Sequence, residues 1–268
     1  MTEGATPGPT DPFPVSRRSH QVERWSTYLR DFHAARPGIT EDVLAKTTDG
    51  RVDPYSWLAE ALPRRGLVLD LACGSGPMTR AIGADRWVGI DRSPEELGRA
   101  AAGVGRLIRG DAIRLPFPDG AFDAVVCSMA IMLLQPVEQV LLEVRRMLTD
   151  GGSAVFMVPG SRPLKLQDLY RYGRLMIAVR QTHLAYPNDR WLRRLNAILD
   201  ASDLELASDE RVRFAYMLGD LESAARFVDS LYLPGASQAR AARAARVSER
   251  WVGSALGVPL RRIIVHAK

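Results

Sequence analysis

Apolar positions along this chain fall into two rhythms. Val22, Trp25, Tyr28, Leu29 and Phe32 recur at helix spacing and predict one apolar face, running from Ser16 to the break at Pro37-Gly38. A short helix is expected over 40–45. Asp53-Pro54 has the form of an N-cap followed by the first helical position, with that helix reaching Leu62 and ending at Pro63. From Leu67 the pattern changes to short apolar runs, and strands are expected at 67–71, 87–91, 106–109, 124–127 and 154–158. Helices fall between them: one after Pro77, one opened by Ser93-Pro94-Glu95-Glu96, and one over 137–148 that Gly151-Gly152 stops. Ala124-Val125-Val126-Cys127 is apolar throughout, as a strand covered on both faces requires. The alternation predicts a mostly parallel sheet with helices on both sides. After Pro159 it stops. Helices are expected over 164–179 and 189–200, then an extended run near 210–217, more helices between Leu221 and Trp251, and a closing strand over 262–265.

Composition narrows the class. A chain of 268 residues, 46% hydrophobic, fits one domain with a full core. The start, rich in Pro, Gly and Thr, reads as a disordered tail over 1–15 with no leader peptide. No apolar run reaches the roughly 18 residues of a membrane span, so no membrane partner is expected. Two cysteines, Cys73 and Cys127, fall at strand ends and fit a reducing cytoplasm better than a disulfide. The net charge of +5 is modest, but its excess is local. One cluster is Arg162, Lys165, Arg171, Arg174, Arg180, Arg190, Arg193 and Arg194; the other runs from Arg240 to Lys268. Solvated helix faces are the plain reading, and an anionic substrate or carrier near them the sharper one.

The chemistry concentrates at strand ends. Val68-Leu69-Asp70-Leu71 runs into Ala72-Cys73-Gly74-Ser75-Gly76, Asp91 closes the next strand, and Asp111 follows the one after. In an open parallel sheet, ligands bind at the carboxyl ends of strands where strand order reverses. Gly74 and Gly76 let the backbone turn and approach a ligand. Asp91 can accept from both hydroxyls of a ribose, and Asp111 from an adenine amino group beside the small Ala112. Three acids suit a ligand with a ribose, an amino group and no phosphate, and S-adenosylmethionine is such a ligand. A dinucleotide site is the competitor, but Thr79 stands where its third glycine should be, and Asp70 would oppose a pyrophosphate.

Residues 67–158 resemble the class I, Rossmann-like S-adenosylmethionine-dependent methyltransferases, especially the UbiE-like small-molecule branch. Leu69 to Gly76 resembles their first motif, and Gly89-Ile90-Asp91-Arg92-Ser93 their ribose segment. Gly110-Asp111-Ala112 with Leu115-Pro116-Phe117 resembles the adenine segment, and Glu143 to Gly152 the last core motif. The resemblance implies a seven-stranded sheet with the last strand antiparallel, a helical N-terminal cap and a lid insertion. The expected division is one domain over 16–268: cap 16–63, cofactor core 64–160, lid 161–203, and C-terminal strands and helices 204–268. The cofactor set is Asp70, Ala72, Cys73, Gly74, Ser75, Gly76, Asp91, Arg92, Ser93, Asp111 and Ala112, with Cys127, Ser128 and Met129 after the fourth strand.

The expected activity is in-line methyl transfer to a small-molecule acceptor, with proximity as the main catalytic factor. Cys127-Ser128-Met129-Ala130-Ile131-Met132 carries no titratable base where relatives hold a histidine, and lacks the Asn/Asp-Pro-Pro-aromatic signature of nucleic-acid amino methylation. A nucleic-acid methyltransferase and a cofactor-binding member of the fold that transfers no methyl stay as alternatives. Trp25, Tyr28 and Phe32 on the cap, and Tyr170, Tyr172 and Met176 on the lid, are the candidate substrate contacts, with plain packing as the competing reading. Any base must come from cap or lid, which makes His33 and His183 the candidates. No cluster has metal-ligand spacing, so no metal is expected.

Overall fold

The structure, a computed structural model, describes residues 15–100 and 105–268. The tail expected over 1–15 lies outside the described residues, apart from Val15. The N-terminal part holds α1 (Val15–Ala35), α2 (Ile39–Leu44), β1 (Thr47–Thr48) and α3 (Pro54–Ala59). Asp53 caps α3 by accepting from Tyr55 N and Ser56 N at 2.9 and 3.0 Å, with Pro54 inside the first turn.

The alternating region follows as β2 (Val68–Leu71), α4 (Thr79–Ile82), β3 (Trp87–Asp91), α5 (Pro94–Gly98), β4 (Arg106–Arg109), β5 (Phe122–Ser128), α6 (Val137–Met147) and β6 (Leu148–Pro159). Along its strands, neighbouring side chains enter opposite cores. Leu69, Leu71, Val125, Cys127 and Phe156 pack on one side of the sheet, and Val68, Ala124, Val126, Val155 and Met157 on the other. Both faces are therefore covered, which is why these strands are apolar throughout. On α6, Val137, Val140, Leu141, Val144 and Met147 form the buried stripe. That helix passes directly into β6 at Leu148, so Gly151-Gly152 lies within the strand and does not stop the helix.

The last third holds α7 (Leu166–Val179), α8 (Asp189–Arg193), α9 (Leu195–Asp200), β7 (Leu204–Leu218), α10 (Leu221–Asp229), α11 (Gln238–Ser248), a single 3-10 turn at Glu249–Trp251, and β8 (Ser254–Ala267). The helix expected over 189–200 is broken at Arg194, and the last two strands form one long antiparallel pair. Sheet order is β1-β7-β8-β6-β5-β2-β3-β4. The β2/β3, β3/β4, β2/β5 and β5/β6 pairs are parallel, while β8 is antiparallel to β6 and β7. The expected seven strands are present, and Thr47–Thr48 adds a short eighth at the edge by pairing with Tyr216 and Ala215. Strand order reverses between β2 and β5, which places the ligand crevice at their carboxyl ends.

Helix α7 is pinned to the β7–β8 hairpin. Buried Asp168 accepts from Gly257 N at 2.8 Å and from the Arg213 guanidinium at 2.7 and 3.0 Å, and Tyr172 donates to Gly257 O at 3.0 Å. A Cβ on Gly257 would lie 2.5 Å from the Asp168 carboxylate, so this close approach requires glycine.

Candidate active site

A cavity of about 570 Å³ opens at the carboxyl ends of β2 and β3. Its floor is the loop after β2, where Ala72, Gly74 and Gly76 all have positive φ, at 56°, 56° and 79°. An alanine in the left-handed region is a strained residue, and such strain is retained where a site requires the loop shape. Asp91 braces the loop by accepting from Gly74 N at 3.0 Å and from Ser93 N at 2.8 Å. Each Asp91 oxygen keeps a further lone pair for a ligand hydroxyl. Asp111 Oδ1 accepts from Ile113 N at 3.2 Å, and the residue is exposed at the cavity rim beside buried Ala112.

The cavity is acidic. Asp70 Oδ2 accepts from Trp87 Nε1 at 3.0 Å, whereas Asp70 Oδ1 and Glu41 Oε2 are buried and accept no hydrogen bond among the described residues. Burial pushes the Asp70 pKa up to about 8, opposed by the Trp87 bond and reinforced by the charges of Asp91 and Glu41. Burial also raises Glu41, and the neighbouring Glu96 charge raises it further. A cationic ligand relieves both costs. Glu41 and the glycine loop are close enough that a Cβ on Gly74 would lie 2.1 Å from Glu41 Oε1. Two unpartnered carboxylate oxygens above a side-chain-free loop fit an ammonium-bearing cofactor such as S-adenosylmethionine.

His33 lines this cavity from the end of α1. Its Nδ1 lies 2.6 Å from Glu96 Oε1, and Glu96 Oε2 accepts from Gly38 N at 2.8 Å. Glu96 is 3% exposed, so its carboxylate fixes the ring through Nδ1 and leaves Nε2 on the far side of the imidazole. Nε2 lies 3.4 Å from the buried Tyr232 hydroxyl.

A second cavity, of about 1410 Å³, lies between α7, α8, α10 and the β7–β8 hairpin. Its walls are mainly apolar, with Met176, Tyr186, Phe227, Leu231 and Val258 among them. Thr40, Met129 and Tyr232 line both cavities and form the wall they share. Met129 has φ 57°, a second strained residue at the point where the cavities meet. At the far end, Arg211 and Arg261 are both paired with Asp209, while Arg193 and Arg194 are exposed and make no ion pair among the described residues.

Of the expected cofactor residues, Asp70, Ala72, Cys73, Gly74, Asp91, Arg92, Ser93, Asp111, Ala112, Ser128 and Met129 line the first cavity. Ser75 and Gly76 lie behind it in the loop, and Cys127 is fully buried among core side chains. Cys73 and Cys127 are free thiols, both pushed up by burial. Trp25 reaches the cavity, whereas Tyr28 and Phe32 support it from behind: Tyr28 OH accepts from Leu233 N at 2.8 Å and Phe32 packs on Tyr232. Tyr172 and Met176 line the second cavity. Tyr170 departs from expectation, standing 62% exposed on the outer side of α7 and touching neither cavity. His183 is exposed at the second cavity with its ring against Thr182, away from the first cavity. Glu41, Glu96, Thr40 and Tyr232 are the site residues the sequence did not disclose. Among the described residues no cluster could hold a metal ion, and no helix is long and apolar enough to cross a membrane.

Comparison with known proteins agrees with this geometry. Residues 69–156 match a family model described as a methyltransferase domain. A demethylmenaquinone methyltransferase of Thermus thermophilus is 39% identical over 109 residues, covering 37% of this chain and 48% of that protein. A 2-phytyl-1,4-naphtoquinone methyltransferase of Synechococcus elongatus is 31% identical over 139 residues, covering 47% and 54%. The chain thus spans about half the length of the curated relatives it matches. Among solved structures, the 4+2 cyclase SpnF aligns with a TM-score of 0.54 at 19% identity over 96% of this chain and 98% of its own. YcgJ of Bacillus subtilis aligns at 0.50 and 17% identity over 78% and 94%, and both likenesses concern the fold. Over residues 69–156 the chain is thus similar to methyltransferases.

Proposed function

We infer that this chain transfers a methyl group from S-adenosylmethionine to a small organic acceptor held in the second cavity. The observation that carries this reading is the shared wall of Thr40, Met129 and Tyr232, where an acidic, glycine-floored cavity meets a larger apolar one. Asp91 would hold the ribose, Asp111 and Ala112 the adenine, and Asp70 with Glu41 the ammonium group. When bound, the cofactor supplies a methyl group that its sulfonium has already made electrophilic. The chain's own task is to align the acceptor, exclude water and, for a hydroxyl acceptor, take a proton at His33 Nε2. Arg193 and Arg194 favour an acceptor that carries an anionic group. The apolar second cavity also suits a ring compound such as the quinones named for the relatives, and it offers little to a nucleic acid, whose recognition depends on phosphate contacts. Two buried free thiols favour a reducing compartment, the cytoplasm, as the place of action.

The test is calorimetric titration with S-adenosylmethionine, followed by transfer of a labelled methyl group to a panel of apolar phenols, quinols and aromatic acids. Micromolar binding with a methylated product is expected. Tight binding with no transfer to any class would favour a non-methylating member of the fold.

Asp91→Ala is expected to weaken S-adenosylmethionine at least about tenfold, because losing a charged acceptor costs roughly 1.5–3 kcal/mol per hydrogen bond. Unchanged affinity in a folded variant would remove Asp91 from the ribose site.

Asp70 gives a pH prediction without ligand. Between its ordinary pKa near ~4 and its folded value of about 8, the folded chain holds a proton that the unfolded chain has released. This contribution is full below the ordinary value and is lost as pH rises through the folded value. The melting temperature of the free protein is expected to fall between pH 5 and 8, and Asp70→Asn to reduce that slope. An equally steep profile for the variant would contradict the assignment.

A further inference from the structure

The two basic clusters seen in the sequence become neighbours in the fold, because α7 packs against α11. The first of them surrounds an exposed apolar stripe on α7. Leu166, Leu169, Tyr170 and Ile177 follow helical spacing on the outer face of α7, opposite buried Leu175 and Val179, and are 86%, 51%, 62% and 73% exposed. Exposed side chains of this size, grouped on one helix face, mark an interaction surface. The charge around the stripe is one-sided. Arg162, Lys165, Arg174 and Arg180 are exposed around it, and the single carboxylate of residues 161–183, Asp168, is buried and paired with Arg213. On α11 and the following turn, Arg243, Arg246 and Arg250 are exposed, with Glu249 as the one exposed carboxylate. The stripe is also rigid, since Asp168 and Tyr172 fix α7 to the β7–β8 hairpin.

We propose that this face docks on an anionic lipid bilayer, with the α7 stripe entering the boundary between headgroups and acyl chains. Large apolar residues rimmed by Arg and Lys, on a helix lying flat along the surface, are what such a boundary selects: the apolar stripe enters the acyl region while the cations meet lipid phosphates. An acidic protein partner would satisfy the cations but leave Leu166 and Ile177 without a matching apolar surface of its own. Gly173 and Ile177 on α7 also line the second cavity, so docking places the mouth of that cavity against the bilayer. The sequence alone gave no membrane partner, because a stripe of this kind is too short and too charged at its edges to read as a span. Docking does not depend on the reaction proposed above.

The full chain is mixed with vesicles of phosphatidylcholine alone or with about 30% phosphatidylglycerol and sedimented. Binding at least about tenfold tighter to the anionic vesicles is expected, weakened by salt. Tyr170→Trp should show blue-shifted emission only with the anionic vesicles. Leu166→Glu/Leu169→Glu, at exposed positions that line neither cavity and leave the fold and cofactor affinity unchanged, should reduce vesicle binding at least about tenfold. Absence of binding to anionic vesicles overturns the proposal. So does binding that the double variant leaves intact, which would mean charge alone is recognised. A concentration-dependent dimer abolished by the same double variant, with no vesicle binding, would assign the stripe to a second copy of the chain and also overturn it.

Discussion

His33→Ala is expected to lower kcat by roughly 10²–10⁴ while S-adenosylmethionine affinity stays within a few-fold. The size follows from what the histidine is given. Glu96 is buried, is fixed by Gly38 N, and holds His33 Nδ1 at 2.6 Å, so Nε2 is set beside the Tyr232 hydroxyl, in the wall shared by both cavities. Without the imidazole a hydroxyl acceptor at the shared wall has no base beside it, since Thr40, Met129 and Tyr232 cannot serve. Glu96→Gln should produce a smaller fall of the same kind, because the amide keeps a hydrogen bond to the ring but not the charge that stabilises the imidazolium. Single-turnover rates and separate calorimetry would divide the two effects. A change below about threefold in kcat for His33→Ala would mean that the acceptor is an amine or an activated carbon and that proximity alone suffices.

Gly74→Val should weaken S-adenosylmethionine by at least about a hundredfold, close to 3 kcal/mol. Two costs act together. Gly74 sits at φ 56°, a region that a β-branched residue occupies only with strain. Its Cβ would lie 2.1 Å from Glu41 Oε1, so Glu41 must leave its place above the loop. The Asp91 bond to Gly74 N ties the same peptide to the proposed ribose acceptor, so displacement of the loop also misplaces Asp91. The free protein should retain its helical circular dichroism. A folded Val variant that binds normally would show that the loop is not the floor of the cofactor site.

The sequence made the floor of the site legible and hid its walls. Asp70, Gly74, Asp91 and Asp111 stand at the ends of apolar strands, so short-range pattern alone places them on one edge of a parallel sheet. Glu41 and Glu96 each sit in the first turn of a short helix, where an acid is expected on helix-dipole grounds and reads as surface. Their burial arises only when α1, α2 and α5 meet over the loop. Tyr232 lies in an irregular segment, with no periodicity to mark it. The pairing of Tyr170 with Tyr172 fails for a geometric reason, since two residues are about 200° apart around a helix and cannot share a face. The long hairpin was half visible: the runs expected near 210–217 and at 262–265 miss 204–209, where Glu205, Ser208 and Asp209 dilute the apolar pattern, and 254–261, which Gly257 and Pro259 interrupt.

The placement of Tyr232 in the wall of the first cavity has a consequence for synthesis of the chain. Thr47 pairs with Tyr216, Tyr28 accepts from Leu233 N, and His33 lies beside Tyr232. These early segments therefore depend for their tertiary partners on residues made much later in the chain. Contacts of such sequence separation form slowly, and the central parallel strands can pair long before them. A nascent chain halted after β6 would hold the glycine loop and Asp91 without the wall that completes the site, so competence to bind cofactor should arise only when the final third of the chain has been released.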